Sequence, residues 1–148
     1  NNNVLVTING KGMQGTPGIS AKLFNCLYKK NINVTFITQA SSEQTICFTI
    51  DNIKKNLVEE ILNIEFDTEI RSGKIKNINI NNNISIITII GEQLSEKIGF
   101  AGEIFSLLGD NKINIKAISQ GSSELSISFI ISKDKELETL NILHSLIE

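Results

Sequence analysis

The stretch that decides the fold is residues 37–50, which read ITQASSEQTICFTI. It returns at residues 118–131 as ISQGSSELSISFII, with Ile, Gln, Ser, Ser, Glu, Ile, Phe and Ile at the same offsets. In each copy, two runs typical of β-strands flank a polar Gln-x-Ser-Ser-Glu corner. Because the corner is too short for a crossover helix, the two strands are predicted to pair as an antiparallel hairpin. Its close repetition predicts the ligand-binding end of a duplicated domain.

The duplication extends well beyond the corner. Residues 4–50 align with residues 85–131 without a gap, and many of the aligned pairs are apolar in both copies. A long period that occurs only twice indicates two homologous domains rather than a solenoid. We predict the first domain over residues 1–82 and the second over residues 83–148.

Apolar periodicity gives each copy the order βαββαβ, the ferredoxin-like split motif of the α+β class. Both helices are then expected to cover one face of an antiparallel sheet. The first copy is predicted to have strands over 4–9, 33–38, 44–50 and 66–71, helices over 19–30 and 53–64, and a polar linker over 79–83. The second is predicted to have strands over 84–90, 114–119 and 125–131, and helices over 99–111 and 133–147. The second copy therefore lacks its last strand.

Helical spacing also predicts which side chains face the core. The first helix is predicted to carry Ile19, Leu23, Cys26, Leu27 and Lys30 on one mostly apolar stripe. The second is predicted to turn Ile53, Leu57, Ile61 and Ile64 inward. The last is predicted to turn Leu140, Leu143 and Ile147 inward.

Composition excludes several classes of protein. A hydrophobic content of 41% suffices for a packed core, and a net charge of −2 without a basic patch argues against nucleic-acid or anionic-membrane partners. No apolar run approaches the length of a membrane span. The two cysteines, Cys26 and Cys47, fit a reducing cytoplasm, and Cys26 is predicted to be a buried, inert thiol. With His144 as the single histidine, we predict no metal site, no cofactor and no catalytic residue.

The acidic side chains around the second helix are interpreted as solvated charges, with no pair arranged for acid–base catalysis. They are Asp51, Glu59, Glu60, Glu65, Asp67 and Glu69.

Residues 10–15, GKGMQG, match the G-x-G-x-x-G pattern of dinucleotide-binding loops. Three features disfavour a nucleotide. The following strand returns as a hairpin, it ends in Gln39 where an acid would be expected, and the second copy retains only Gly91. We interpret the stretch as a loop that brings backbone N–H groups to a small anion, such as a carboxylate, at a helix start. A flexible loop without a ligand is the alternative.

Gln39 and Gln120 end the second strand of each copy. A neutral amide can donate to a carboxylate and accept from an ammonium or hydroxyl group, which suits a zwitterionic ligand. A glutamine that only caps the hairpin is the alternative. The adjoining Ser-Ser-Glu triplets at 41–43 and 122–124 suit either turn formation or ligand binding.

Two βαββαβ units with these loops and corners resemble ACT domains, which are regulatory amino-acid-binding modules. The Ile-Thr-Gln-x-Ser-Ser-Glu stretch at 37–43 and Ile-Ser-Gln-Gly-Ser-Ser-Glu at 118–124 resemble the tandem ACT region of aspartokinases, above all the type fused to homoserine dehydrogenase. The resemblance implies a non-catalytic region that binds an end-product amino acid. That binding would inhibit a separate domain that phosphorylates aspartate with ATP.

The resemblance also implies two units side by side in one sheet, a homodimer formed through it, and a strand supplied to the second unit from sequence before the first. It implies effector contacts at the loop, the helix start and the second strand. In the first copy these are Met13, Gly15, Gly18, Ile19, Asn33, Thr35, Ile37, Gln39, Ser42 and Glu43. In the second they are Gly99, Phe100, Asn114, Ile118 and Gln120.

The effector implied by the resemblance is threonine, with lysine as the second candidate. Lysine-sensitive members place an Asp in the second strand, whereas this chain has Thr35 and Lys116 there. Glu92 and Glu96 in the second loop disfavour a ligand carboxylate, so the second site is predicted to be the weaker. A structural dimerisation module without a ligand is the alternative from another class, and an enzyme that uses Cys26 is the third.

Overall fold

The computed structural model describes residues 2–11, 18–39, 45–91, 98–120 and 126–147, with the backbone alone at Gln120 and Ile147. The chain divides into two units, Asn1–Asn82 and Asn83–Glu148, here called unit 1 and unit 2. Within the described ranges, no helix has both the length and the apolar character needed to cross a bilayer.

Unit 1 is a four-stranded antiparallel sheet in the order β2-β3-β1-β4. Its strands are β1 (Asn3–Gly10), β2 (Phe36–Gln39), β3 (Thr45–Asp51) and β4 (Ile75–Asn81). Its helices are α1 (Ile19–Lys29), α2 (Lys55–Glu65) and the short α3 (Asp67–Arg71), with a 3-10 turn at Asn52–Lys54 before α2. The predicted βαββαβ fold and the predicted hairpin are confirmed, with one helix more than predicted.

Alternate residues of β1 and β3 form the floor of the unit 1 core, because every second side chain of a strand points to the same face. The buried side chains of these strands are Val4, Val6, Ile8, Ile46, Phe48 and Ile50. Helix α1 covers them with the predicted stripe of Ile19, Leu23, Cys26 and Leu27. The rings of Phe24 and Phe48 meet edge to face with centroids 6.3 Å apart.

The predicted fourth strand, residues 66–71, is wrong. Phe66 is fully buried at the end of α2, and Asp67–Arg71 forms α3, with an ion pair of 3.2 Å from Arg71 to Asp67 one turn apart. The fourth strand is Ile75–Asn81, which includes part of the predicted linker. Its asparagines have low strand propensity, so pairing with β1 determines this strand rather than local preference.

The predicted inward face of α2 is also wrong in part. The helix buries Val58, Ile61 and Leu62, whereas Ile53 is 86% exposed, Ile64 is 69% exposed and Leu57 is 38% exposed. Ile53 lies in the 3-10 turn before the helix, so it does not continue the helical spacing that the sequence suggested. Two apolar stripes run along this segment, and only packing on the sheet selects between them.

Unit 2 is a three-stranded antiparallel sheet in the order β5-β7-β6. Its strands are β5 (Ile84–Ile90), β6 (Ala117–Gln120) and β7 (Ser126–Ser132), and its helices are α4 (Phe100–Asp110) and α5 (Glu136–Ile147). A 3-10 turn at Lys133–Lys135 precedes α5. No described strand of unit 2 pairs with the second edge of β5, which corresponds to the edge of β1 that holds β4 in unit 1. The prediction that the second copy lacks its last strand is confirmed for the described residues.

The core of unit 2 repeats that of unit 1 at matched positions. Its buried side chains from β7 and α4 include Ile127, Phe129, Ile131, Ile104 and Leu108, and the Phe105 and Phe129 rings meet edge to face at 6.1 Å. On α5, Leu143 is buried as predicted, but Leu140 is 38% exposed and so does not face fully inward. The fully buried residue of that helix is Thr139, and the side chain of Ile147 lies outside the description.

Thr139 places a hydroxyl where unit 1 has the methyl groups of Val58. Both residues are fully buried, and the Thr139 Oγ1 has no hydrogen-bond partner among the described residues. We expect Thr139→Val to raise the free energy of unfolding by about 1 kcal/mol, because it removes a desolvated hydroxyl and keeps the shape. Urea unfolding measures the change. The reciprocal Val58→Thr should cost about 1–2 kcal/mol, and a destabilised Thr139→Val variant would contradict the assignment.

Candidate functional site

One end of the unit 1 sheet gathers the predicted ligand elements. Ile46 of β3 pairs with Ile8 of β1 on one side and with Gln39 of β2 on the other. Gln39 therefore lies level with Ile8 and two strands away, a separation of about 10 Å. Because β1 ends two residues later at Gly10, the point where the chain leaves β1 and the end of β2 share one end of the sheet. We call this the loop end of unit 1.

Helix α1 begins at the loop end, because Lys22 of its first turn lies 2.9 Å from Glu69 of α3, and the Lys11–Lys74 hydrogen bond joins the segment after α3 to the end of β1. Gly18 precedes it with φ +89°, a left-handed conformation that L side chains adopt only with strain. Backbone conformation alone calls for glycine here, since no described atom lies within 4 Å of the place that a Cβ would occupy. Gly18 itself has no side chain that could cap the helix, and the first turn contains no acidic residue. The amide N–H groups of the first turn therefore lack intrahelical acceptors and favour an anion.

The predicted contacts at the loop end differ in what they can offer a ligand. Ile19 is 6% exposed and its side chain belongs to the core, so only its N–H group can meet a ligand. Ile37 is 48% exposed, and Gln39 is also exposed. Both lie on β2, whose second edge pairs with no described strand of the unit. Donors for a carboxylate and an amide for an ammonium or hydroxyl group thus lie at the same end of the fold.

Asn33 and Thr35 lie away from the loop end. The Thr35 N–H donates to the carbonyl of Thr49 at 3.1 Å, and the two hydroxyl groups are 2.8 Å apart. Thr49 pairs with Leu5 near the start of β1. Leu5 is three residues before Ile8 on this strand, so Thr35 lies about 10 Å along the sheet from the loop end. The structure therefore does not bring these two residues together with Gly18 and Gln39. Their role in effector binding stays a prediction.

Four of the predicted contacts in unit 1 cannot be placed. Met13, Gly15, Ser42 and Glu43 lie outside the described residues, as do Glu92 and Glu96 of the second loop.

Unit 2 repeats this geometry with a different charge. Ile127 of β7 pairs with Ile89 of β5 on one side and with Gln120 of β6 on the other. Helix α4 begins at Phe100, directly after Gly99, which has φ +81°. The side chain of Phe100 is buried at 9% exposure. Ile118 is 45% exposed, and Asn114, which precedes β6, is also exposed.

The first turn of α4 contains an acidic residue. Glu103 occupies the position that Lys22 holds in α1. A carboxylate there already occupies the positive end of the helix dipole that a ligand carboxylate would use. This adds to the expectation that the second site is the weaker.

Sequence reasoning missed the contact between Lys22 and Glu69. The Lys22 ammonium lies 2.9 Å from Glu69 Oε1 and 5.2 Å from the centroid of the Phe66 ring. The Glu69 side chain is only 17% exposed, so its interpretation as a solvated charge is wrong. The hydrogen bond from Lys22 is the main cause that lowers the pKa of the Glu69 carboxyl. No local signal could have shown this pair, since it depends on α3, which the sequence did not predict.

Cys26 has the surroundings of a structural thiol. It is 8% exposed, and its Sγ donates to the carbonyl of Leu23 at 3.0 Å. Burial, followed by the nearby Glu65 carboxylate, raises the pKa of the thiol above its usual value. A raised thiol pKa disfavours the reactive thiolate, which supports the interpretation of Cys26 as inert.

Comparison with known proteins defines the class of this chain. The ACT domain family matches residues 6–66 and 87–146. The chain therefore belongs to the ACT domain family and contains two ACT domains in tandem, as the resemblance implied.

The chain is similar in sequence to a region of bifunctional aspartokinase/homoserine dehydrogenases. Over 144 residues the chain is 33% identical to bifunctional aspartokinase/homoserine dehydrogenase 2, chloroplastic, of Arabidopsis thaliana, covering 97% of this chain and 16% of that protein. Over 143 residues it is 33% identical to the bifunctional aspartokinase/homoserine dehydrogenase of Haemophilus influenzae, covering 97% of this chain and 18% of that protein. The chain thus spans less than a fifth of the length of these two relatives.

Solved structures share the fold. The ligand-free regulatory subunit of aspartate kinase from Thermus thermophilus superimposes with a TM-score of 0.81 at 22% identity, covering 99% of this chain and 94% of that chain. E. coli aspartokinase III in complex with lysine and aspartate gives a TM-score of 0.71 at 24% identity, covering 97% of this chain and 31% of that chain.

Proposed function

We propose that this chain is the non-catalytic regulatory region of an aspartokinase and that it binds L-threonine at the loop end of unit 1. The observation that carries the proposal is the start of α1 after Gly18, with no acidic residue in its first turn, at the same end of the sheet as Gln39. A carboxylate at the helix start and an ammonium or hydroxyl group at the Gln39 amide together describe an amino acid.

The neutral amide of Gln39 favours threonine over lysine. The ammonium of a lysine side chain calls for a carboxylate partner, and Gln39 offers a neutral amide. Glu69, a carboxylate described near the start of α1, is already paired with Lys22. The relatives at 33% identity are of the fused type for which the resemblance implies threonine. Lysine is the second candidate, because the E. coli aspartokinase III structure contains lysine.

The remaining proposals concern the whole protein. Its kinase domain would transfer a phosphoryl group from ATP to aspartate, and threonine bound by the ACT pair would favour an inactive state. Such coupling is reciprocal, so ligands of the active state would weaken threonine binding. We further propose a homodimer formed through the ACT domains, a cytoplasmic location, and a fused homoserine dehydrogenase like that of the relatives.

Thermal unfolding of the chain with separate additions of threonine, lysine, methionine and isoleucine tests the proposal. Threonine at about 100 times its dissociation constant should stabilise the fold by roughly 2.7 kcal/mol. Gln39→Ala should lower threonine affinity about 10- to 100-fold, the cost of a hydrogen bond to a charged group, and leave the unliganded melting temperature unchanged.

Gln120→Ala is the matched control in unit 2, and we expect it to change threonine affinity less than Gln39→Ala does. Stabilisation by lysine alone would refute threonine as the effector. If none of the four amino acids stabilises the chain, the alternative function, a structural dimerisation module without a ligand, is favoured. Unchanged affinity in Gln39→Ala would move the site away from the loop end.

A further inference from the structure

We propose that Glu69 is a positioning residue for the carboxylate site of unit 1, because it holds the first turn of α1 in place through Lys22. The inference rests on the function proposed above. It assigns to Glu69 an indirect role, in which Glu69 contacts Lys22 and not the ligand.

Lys22 is connected to the helix start by its backbone and to α3 by its side chain. Its N–H donates to the carbonyl of Gly18 at 2.8 Å, the first hydrogen bond of the helix. Its ammonium donates to Glu69 at 2.9 Å and lies 5.2 Å from the centroid of the fully buried Phe66 ring. A rotation of the first turn of α1 larger than the flexible lysine side chain can follow would break both contacts.

Helix α3 is itself anchored, so it can act as a fixed support. Phe66, which precedes it, is fully buried, and Ile70 packs against the same core. The N–H of Lys11 donates to the carbonyl of Lys74 at 3.1 Å, and Gly10 pairs with Ile75 at the start of β4. The segment that carries Glu69 is therefore bonded to the end of β1, where the chain departs toward α1.

The degree of burial separates this ion pair from an ordinary surface pair. The side chains of Lys22 and Glu69 are 35% and 17% exposed, whereas those of Arg71 and Asp67 on the same short helix are 80% and 53% exposed. Water and salt screen the first pair less. The Glu69 Oε2 is buried without a hydrogen-bond partner among the described residues, and that desolvation offsets part of the attraction. We therefore assign to the pair an effect on orientation more than on overall stability.

The support belongs to unit 1 alone among the described residues. Unit 2 has Glu103 at the position of Lys22, and no described helix follows α5 there. A first turn that is already oriented loses less freedom when a ligand binds, which favours affinity. Unit 1 would then hold the pre-organised site and unit 2 the looser one.

Two measurements on the variants Glu69→Gln and Lys22→Met test the inference. The first is amide hydrogen exchange at Lys22 and Leu23 without ligand, and the second is threonine affinity by calorimetry. We expect both variants to exchange about 5-fold faster at these amides and to bind threonine about 5-fold more weakly. Lys22→Arg retains the ion pair and should restore both values. Arg71→Gln removes the exposed pair on the same helix and should change neither.

The outcomes separate the role of Glu69 from the proposed binding of threonine. Unchanged exchange in Glu69→Gln overturns the inference whether or not threonine binds. Faster exchange with unchanged threonine affinity also overturns it, since Glu69 would then brace the fold without serving the site. A wild-type chain that binds neither threonine nor lysine refutes the proposed function and, with it, the role of Glu69 in a carboxylate site.

Discussion

Replacing Phe48 with alanine is expected to lower the free energy of unfolding of unit 1 by about 3–5 kcal/mol. Phe48 is fully buried on β3, which lies between β2 and β1 in the sheet, and its ring meets Phe24 edge to face at 6.3 Å. Removing the ring forfeits its burial and leaves a cavity that strands on both sides prevent from collapsing. Urea unfolding measures the loss.

Two further variants serve as controls for Phe48→Ala. Phe48→Leu keeps most of the apolar volume and should cost only about 1–2 kcal/mol. Phe129→Ala removes the matched ring from unit 2, where Phe129 is also fully buried, and should destabilise that unit by a similar amount. A loss below about 1 kcal/mol for Phe48→Ala would contradict the central place given to this ring.

The second large effect concerns α2. Leu62→Ala is expected to cost about 2–5 kcal/mol, because Leu62 is fully buried between the helix and the sheet. Ile64→Ala, two residues further on, should change stability by no more than about 0.5 kcal/mol, because Ile64 is 69% exposed. Urea unfolding of the two variants compares the face found in the structure with the face suggested by the sequence.

Ile53→Ala extends this comparison to the 3-10 turn. Ile53 is 86% exposed, so we expect this variant to behave like Ile64→Ala. The reverse order, with Ile53 and Ile64 sensitive and Leu62 tolerant, would mean that α2 is rotated relative to the orientation described here.

The candidate site was predictable from sequence as far as its elements are local. Gly18 and Gln39 stand at the start of a helix and at the end of a strand, and both positions follow from periodicity along one short segment. The predicted hairpin pairs Gln39 with Ile46 and so brings Gln39 to the loop end. Glu69 could not be found in this way, because its surroundings come from a helix more than forty residues away along the chain.

The sequence by itself determined the duplication, the α+β order of each unit and the inward face of α1. These depend on patterns in which each residue's periodic neighbours already specify its environment. Only the tertiary structure decided that Ile75–Asn81 is the strand beside β1, that α2 turns Leu62 inward, and that Lys22 meets Glu69. Local preferences that separate such alternatives amount to about 1 kcal/mol or less per residue, whereas burial of one large side chain contributes about 1.5–3 kcal/mol. Packing between distant segments therefore decides wherever the local pattern fits two structures.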